Sequence, residues 1–155
     1  MLREINLDEI SDGRLYSSND MAKTDCKGCD GCSACCHGMG NSIVLDPLDV
    51  YRLSTNLSKS VNELLTGPLE LNVVDGIILP NLKMARAEEA CSFLDTNGRC
   101  TVHAFRPGIC RMFPLGRFYE NRSFQYFLQI HECPKTEPFQ SKNQEMVGYT
   151  ESENL

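Results

Sequence analysis

A surplus of positive charge and a long apolar run are missing from this chain of 155 residues, and its opening residues are not expected to form a hydrophobic leader. Fifteen Lys and Arg stand against 21 Asp and Glu, a formal net charge of -6, which excludes a general nucleic-acid binder and a domain that seats on anionic membranes. No stretch approaches the roughly 18 apolar residues that a membrane span requires. The opening residues, Met-Leu-Arg-Glu-Ile-Asn-Leu-Asp-Glu, put charges where an export signal needs an apolar run, so the expected compartment is the cytoplasm. No glycine-rich phosphate loop follows a strand-like segment, no Ser-His-Asp set can be singled out, and no segment repeats. At this length a single domain with a modest core is expected, small enough to profit from cross-links.

Cysteine, by contrast, is abundant. Nine occur, at positions 26, 29, 32, 35, 36, 91, 100, 110 and 133. Five of them and His37 fall within residues 26–37, with three successive two-residue gaps, and a loop this rich in sulfur has no apolar face to bury. With no export signal the thiols stay reduced, and the pattern points to metal rather than to a disulfide framework. The odd count also leaves at least one thiol outside any intramolecular disulfide set. Gly28, Gly31, Gly38 and Gly40 let the backbone turn its N–H groups toward anionic sulfur.

The remaining segments read as short elements. Residues 1–25 are polar and mixed, an N-terminal arm that is extended or holds a short helix. Asp46-Pro47-Leu48-Asp49 is a helix start, with Asp as cap and Pro in the first turn, and Leu48, Tyr51 and Leu53 are expected to face inward. Ser60-Val-Asn-Glu63 is a capping box ahead of a second helix that Gly67-Pro68 closes. Three hairpins follow: residues 69–74 and 77–79 about Asp75-Gly76, residues 91–94 and 99–102 about Asp95-Thr-Asn-Gly98, and residues 117–119 and 123–130 about Glu120-Asn-Arg. Between the last two, Arg106-Pro107 opens a short turn or helix carrying Cys110 and Arg111. Phe124, Tyr126, Leu128 and Ile130 alternate as a half-buried strand, and residues 135–155 form a polar mobile tail. The fold class is α+β: a small irregular single domain, residues 26–134, of short helices and β-hairpins organised around a multi-cysteine metal site.

All-thiolate ligation suits an iron–sulfur cluster, zinc or copper(I). A ferredoxin-like cluster takes three cysteines from a C-x2-C-x2-C run and a fourth from a distant Cys-Pro, and Cys133-Pro134 is such a partner. A structural zinc site pairs two C-x2-C knuckles, and the second half of the chain has none, which tilts the balance toward iron–sulfur. Arg99, Arg106, Arg111, Arg117 and Arg122 share a span whose only acidic residue is Glu120. Arg106 and Arg111, bracketing Cys110, are the candidates to neutralise an anionic centre, against a plain solvated face for the others. His37, His103 and His131 lie near cysteines and are expected beside a centre or at the surface rather than as ligands. The C-x3-C-x2-C signature of radical S-adenosylmethionine enzymes is absent.

Cys29-x2-Cys32-x2-Cys35-Cys36, then Cys91 through Gly98-Arg99-Cys100, then Arg106-Pro107-Gly-Ile-Cys110-Arg111-Met-Phe-Pro114 and a late Cys133-Pro134, resemble the blocks of the YkgJ-type cysteine-cluster family, a zinc- or iron-chelating domain. The resemblance spans about residues 26–134. It implies eight metal ligands, Cys29, Cys32, Cys35, Cys36, Cys91, Cys100, Cys110 and Cys133, and leaves Cys26 outside the pattern; His103 stands where many relatives have an aromatic residue. Two divisions stay open. One sets Cys29, Cys32, Cys35 and Cys133 on one centre and Cys36, Cys91, Cys100 and Cys110 on or near a second, since adjacent Cys35 and Cys36 should diverge. The other has a single four-thiolate site, with the remaining cysteines buried as small apolar groups. Three functions follow: a metal-binding module, iron–sulfur or zinc, for electron transfer, sensing or metal handling; a metal-dependent enzyme of methyl transfer or redox chemistry, implied by the cysteine block shared with flagellin lysine N-methylases; and a structural zinc platform for a protein partner.

Overall fold

The two capping boxes organise the first half of the chain. A computed structural model describes residues 6–22, 32–85, 89–130 and 132–133. Helix α2, Pro47–Leu57, starts at Asp46, whose side chain accepts the Asp49 N–H at 2.7 Å. Helix α3, Val61–Leu65, starts at Ser60, with Glu63 returning a carboxylate to the Ser60 N–H at 2.8 Å. Each box satisfies N–H groups that a helix start leaves unpaired. α2 ends at Ser58, a non-glycine residue held in the left-handed region at φ 52°. Its phase differs from the sequence expectation. Leu48 and Tyr51 are 52% and 65% exposed, while Leu53 is fully buried and Asp49 is 5% exposed. The face that docks runs through Asp49, Val50, Leu53 and Leu57, one stripe at helical spacing.

The first hairpin forms as expected. β2, Leu69–Val74, pairs antiparallel with β3, Ile77–Leu82, across Asp75-Gly76, both at positive φ, a two-residue turn matched to strand twist. At its base Leu69 and Leu82 are paired and buried, and with Leu53, Leu64, Phe93 and Val102 they form the centre of the core. Near its turn Leu71, Val73, Ile77 and Ile78 are exposed. Residues 43–45 run antiparallel beside β3, with Leu45 N–H to Pro80 C=O at 2.9 Å and Leu82 N–H to Ile43 C=O at 3.0 Å. Asn81, buried in that strand, donates to Glu70 Oε1 and accepts from Asn72 Nδ2, so its amide is satisfied on both ends.

The second expected hairpin forms only at its tip. β4, Met84–Ala85, pairs with β5, Ala90–Cys91, and beyond Cys91 the backbone turns, with Leu94 N–H to Cys91 C=O at 2.9 Å, instead of extending. Asp95 builds the expected turn: its Oδ1 accepts the N–H groups of Asn97 and Arg99 at 2.9 and 2.8 Å. Asp95 N–H to Arg99 C=O and Thr101 N–H to Phe93 C=O, both 2.9 Å, frame the bridge between Leu94 and Cys100.

The third hairpin is present and acquires a partner. β6, Leu115–Glu120, and β7, Ser123–Gln129, are joined by Asn121-Arg122, both left-handed, and β1, Ser11–Tyr16, pairs with the outer edge of β7. The segment read as an arm thus contains helix α1, Leu7–Ile10, and a strand of a three-stranded sheet ordered β1-β7-β6. The half-buried alternation expected along β7 is only partial, because Phe127, out of phase with it, is buried against Gly116. Helix α4, Gly108–Met112, follows Arg106-Pro107 as expected, and the Phe113–Pro114 peptide bond is cis. The expected polar tail, residues 135–155, lies outside the described residues. Among the described residues no helix is long and apolar enough to cross a membrane.

Two checks follow. A Cβ at Gly116 would lie within 2.8 Å of three Phe127 ring carbons. Gly116→Ala should therefore destabilise the sheet by about 1–3 kcal/mol in urea unfolding. Tyr16 is pushed up to about 12, first by burial and then by its hydrogen bond to Asp12. Its phenol stays neutral in the fold at pH values where the unfolded chain ionises. This contribution to stability is complete below the ordinary value of 10.0 and is lost as pH rises toward 12. Absorbance at alkaline pH should show one late-titrating tyrosine, and Asp12→Asn should bring it only partway back, since burial remains.

Candidate metal centre

Three backbone pairings carry distant cysteines toward one region. The early loop enters through a 3-10 turn, Ala34–Cys36, closed by Cys36 N–H to Ser33 C=O at 2.8 Å. His37 then bridges Ala90, and Gly38 N–H donates to Glu89 C=O at 2.9 Å, which sets Cys36 beside the strand ending in Cys91. Gly38 sits at φ +65°, a conformation that a side chain would strain. The Leu94–Cys100 bridge folds Cys100 back over the turn that follows Cys91. The tip of that turn meets the early loop, since a Cβ at Gly98 would stand 3.7 Å from Ser33 Oγ. The third arrival is α4, which carries Cys110. Cys91 belongs to the buried core, and Cys36, Cys100 and Cys110 pack against the same core with Met39 and Phe105.

The electrostatics report the gathering. Burial pushes the Cys110 thiol up to about 12, and Cys91, Cys35 and Cys100 push it the same way, against the opposing field of Arg106. Cys91 is raised by burial, with Cys100 and Cys35 adding to it and a hydrogen bond from the Phe93 backbone opposing. Cys36 is raised, first by donating its proton to Cys35 and then by burial and by Cys35, Cys91 and Cys100. Cys35 moves the other way, because the Cys36 thiol donates to it and Arg106 favours its charge. Adjacent Cys35 and Cys36, expected to diverge, are therefore in contact within their 3-10 turn. Both lie in the electrostatic reach of Cys91.

Cys32 is half-buried just before the turn. Cys133 is buried beyond the end of β7. Gln129 N–H donates to Pro114 C=O at 2.9 Å, so the strand leading to Cys133 leaves its sheet beside the end of the Cys110 helix. Cys29, Cys26 and His131 lie outside the described residues. Arg106 is half-buried, and its field reaches Cys35 and Cys110; Arg111 is exposed on α4. His103 and His37 are exposed, and the His37 ring nitrogen Nδ1 lies 2.9 Å from Ser33 C=O, which fixes that nitrogen as the donor.

None of the seven described cysteines is in a disulfide. Among the described residues, no three Cys, His, Asp or Glu side chains close on a point where a metal ion could be held. In kind, the donors fit a thiophilic metal: soft sulfur, a neighbouring guanidinium, and thiols whose charges oppose one another until a cation arrives. One residue escaped the sequence reading. Asp49, read as a local cap, is buried and accepts the Gly108 N–H at 2.8 Å across 59 positions of sequence. The only signal for it was an Asp at a position where the sister box in α3 has the longer Glu63. A shallow concavity at the β6–β7 turn, lined by Tyr119, Asn121 and Phe124, contains no cysteine.

Searches of curated proteins and of solved structures found no match. A family model does match, over residues 28–143, a span that takes in every cysteine except Cys26. The segments that the fold draws together are thus the segments the family shares, and the chain belongs to the CxxCxxCC family, described as a "Putative zinc- or iron-chelating domain".

Proposed function

We propose that this domain holds an iron–sulfur cluster or zinc through cysteine thiolates, drawn from Cys29, Cys32, Cys35, Cys36, Cys91, Cys100, Cys110 and Cys133, and serves in electron transfer, sensing or metal handling in the cytoplasm. The observation that carries this reading is the gathering of Cys36, Cys91, Cys100 and Cys110, from three separate segments, on one core, with Cys35 hydrogen-bonded to Cys36 at its edge. Held this close, each of these thiols that ionises raises the cost of ionising the next. A bound cation removes that cost. Iron–sulfur is favoured over zinc because the early run and the late Cys133-Pro134 follow cluster spacing, whereas a second zinc knuckle is missing. When bound, such a cluster supplies reversible one-electron transfer, and zinc supplies a redox-silent cross-link.

The chain's own residues prepare the site. Arg106 lowers the cost of negative charge at Cys35 and Cys110. Arg111, exposed on the same helix, stands where it can meet an anionic partner. The core behind Cys91 keeps water from one side of the sulfur group.

Protein purified without oxygen should contain iron and acid-labile sulfide and absorb in the visible. Zinc without colour would favour the cross-link, and a folded, metal-free protein with no affinity for either would overturn the proposal. Cys110→Ser and Cys36→Ser should each cut metal content, and Arg106→Gln should weaken binding by about tenfold while leaving the metal-free fold intact. Chelation should lower the unfolding free energy by about 4 kcal/mol from a state with free metal about 1,000-fold above Kd.

A further inference from the structure

We infer that Asp49 is a positioning residue for the cysteine group: its buried carboxylate ties the start of α2 to the start of α4 and thereby sets where Cys110 stands. The two capping boxes of this chain provide an internal comparison. In α3 the third-position residue, Glu63, is exposed and spends its carboxylate at home, on the Ser60 N–H at 2.8 Å and the Ser60 hydroxyl at 2.7 Å. In α2 the equivalent Asp49 is 5% exposed, and its bond to the Asp46 N–H is slack, at 3.4 Å. Its short bond, 2.8 Å, goes instead to Gly108 N–H. A capping box needs no burial, and burying a carboxylate costs free energy unless strong donors meet it. The expense is accounted for by the distant partner.

Gly108 is the first residue of α4, and the residue before it is Pro107, which provides no capping side chain. A five-residue helix cannot hold itself together in water, so its placement depends on what grips its ends. At the far end, Gln129 N–H holds Pro114 C=O. At the near end the grip is Asp49, acting as a cap supplied from another helix. Cys110 is two residues inside that grip, and Arg106 is two residues outside it. A shift of α4 would therefore move a thiol and its neighbouring guanidinium together, away from Cys35 and Cys91.

The inference rests on the metal-binding reading for its purpose, though not for its test. In metal-free protein, Asp49→Ala should free the Gly108 amide to exchange and raise the alkylation rate of Cys110 by about tenfold relative to Cys91 in the same molecule. Asp49→Asn, which keeps an acceptor oxygen, should restore most of the protection. Glu63→Ala serves as the control, removing a cap of the same kind without touching α4. Gly108→Pro removes the donated N–H at a helix position that tolerates proline and sets a ring carbon against Asp49 Oδ1 in its place, so it should reproduce the Cys110 effect even if Asp49→Ala fails to fold. Zinc affinity should fall about 10–100-fold in Asp49→Ala and in Gly108→Pro. Equal alkylation ratios in the wild type, Glu63→Ala and Gly108→Pro would overturn the assignment. A wild type that binds neither zinc nor iron would overturn the proposed function instead, with the alkylation ratio still deciding the role of Asp49.

Discussion

Thiols held close in a poorly hydrated place are what the rest of this molecule depends on. Sulfur is a tolerable core atom while it keeps its proton, and Cys91 is packed as one, with Cys36, Cys100 and Cys110 leaning on the same apolar group. Ionisation of any one of them raises the cost for the rest, as the upward shifts of Cys91 and Cys110 express. Only Cys35, fed by the Cys36 proton and by Arg106, ionises with ease. Were these sulfurs to ionise, they would demand positive charge, of which Arg106 supplies a part at Cys35 and Cys110.

The scaffold that maintains this demand is made of small, local devices joined by a few long-range ones. Cap residues start α2 and α3, left-handed turns close β2–β3 and β6–β7, and none needs help from elsewhere. The distant connections are few: the backbone of His37 and Gly38 to Glu89 and Ala90, and the Asp49 side chain to the Gly108 N–H. The first brings Cys36 beside Cys91, and the second grips the helix of Cys110.

That difference also separates what could be read from the sequence from what could not. Asp46-Pro47, Ser60 with Glu63, and Asp75-Gly76 announce their structures because cap and turn chemistry acts over three or four residues. The inward face of α2 was misread from Leu48 and Tyr51, because the stripe that docks is anchored by a carboxylate, a residue type that hydropathy assigns to solvent. The hairpin expected across Cys91 and Cys100 keeps its Asp95 turn but is cut short at Cys91, where Leu94 N–H turns back to the Cys91 C=O at 2.9 Å. Spacing places the cysteines in one family. It could not tell that Cys35 and Cys36 share a 3-10 turn, since that depends on φ and ψ at two residues rather than on any pattern of identities.

The double membership of Cys91, at once core and sulfur group, orders the way this protein would meet an oxidant. Cys32 and Cys35 are half-open to solvent, whereas Cys91 is sealed behind Phe93 and Val102. A reagent arriving from outside spends itself on the rim first, and the innermost sulfur is modified only when the packing around it gives way. Modification of the outer sulfurs should therefore leave the core packed, whereas modification of Cys91 should not.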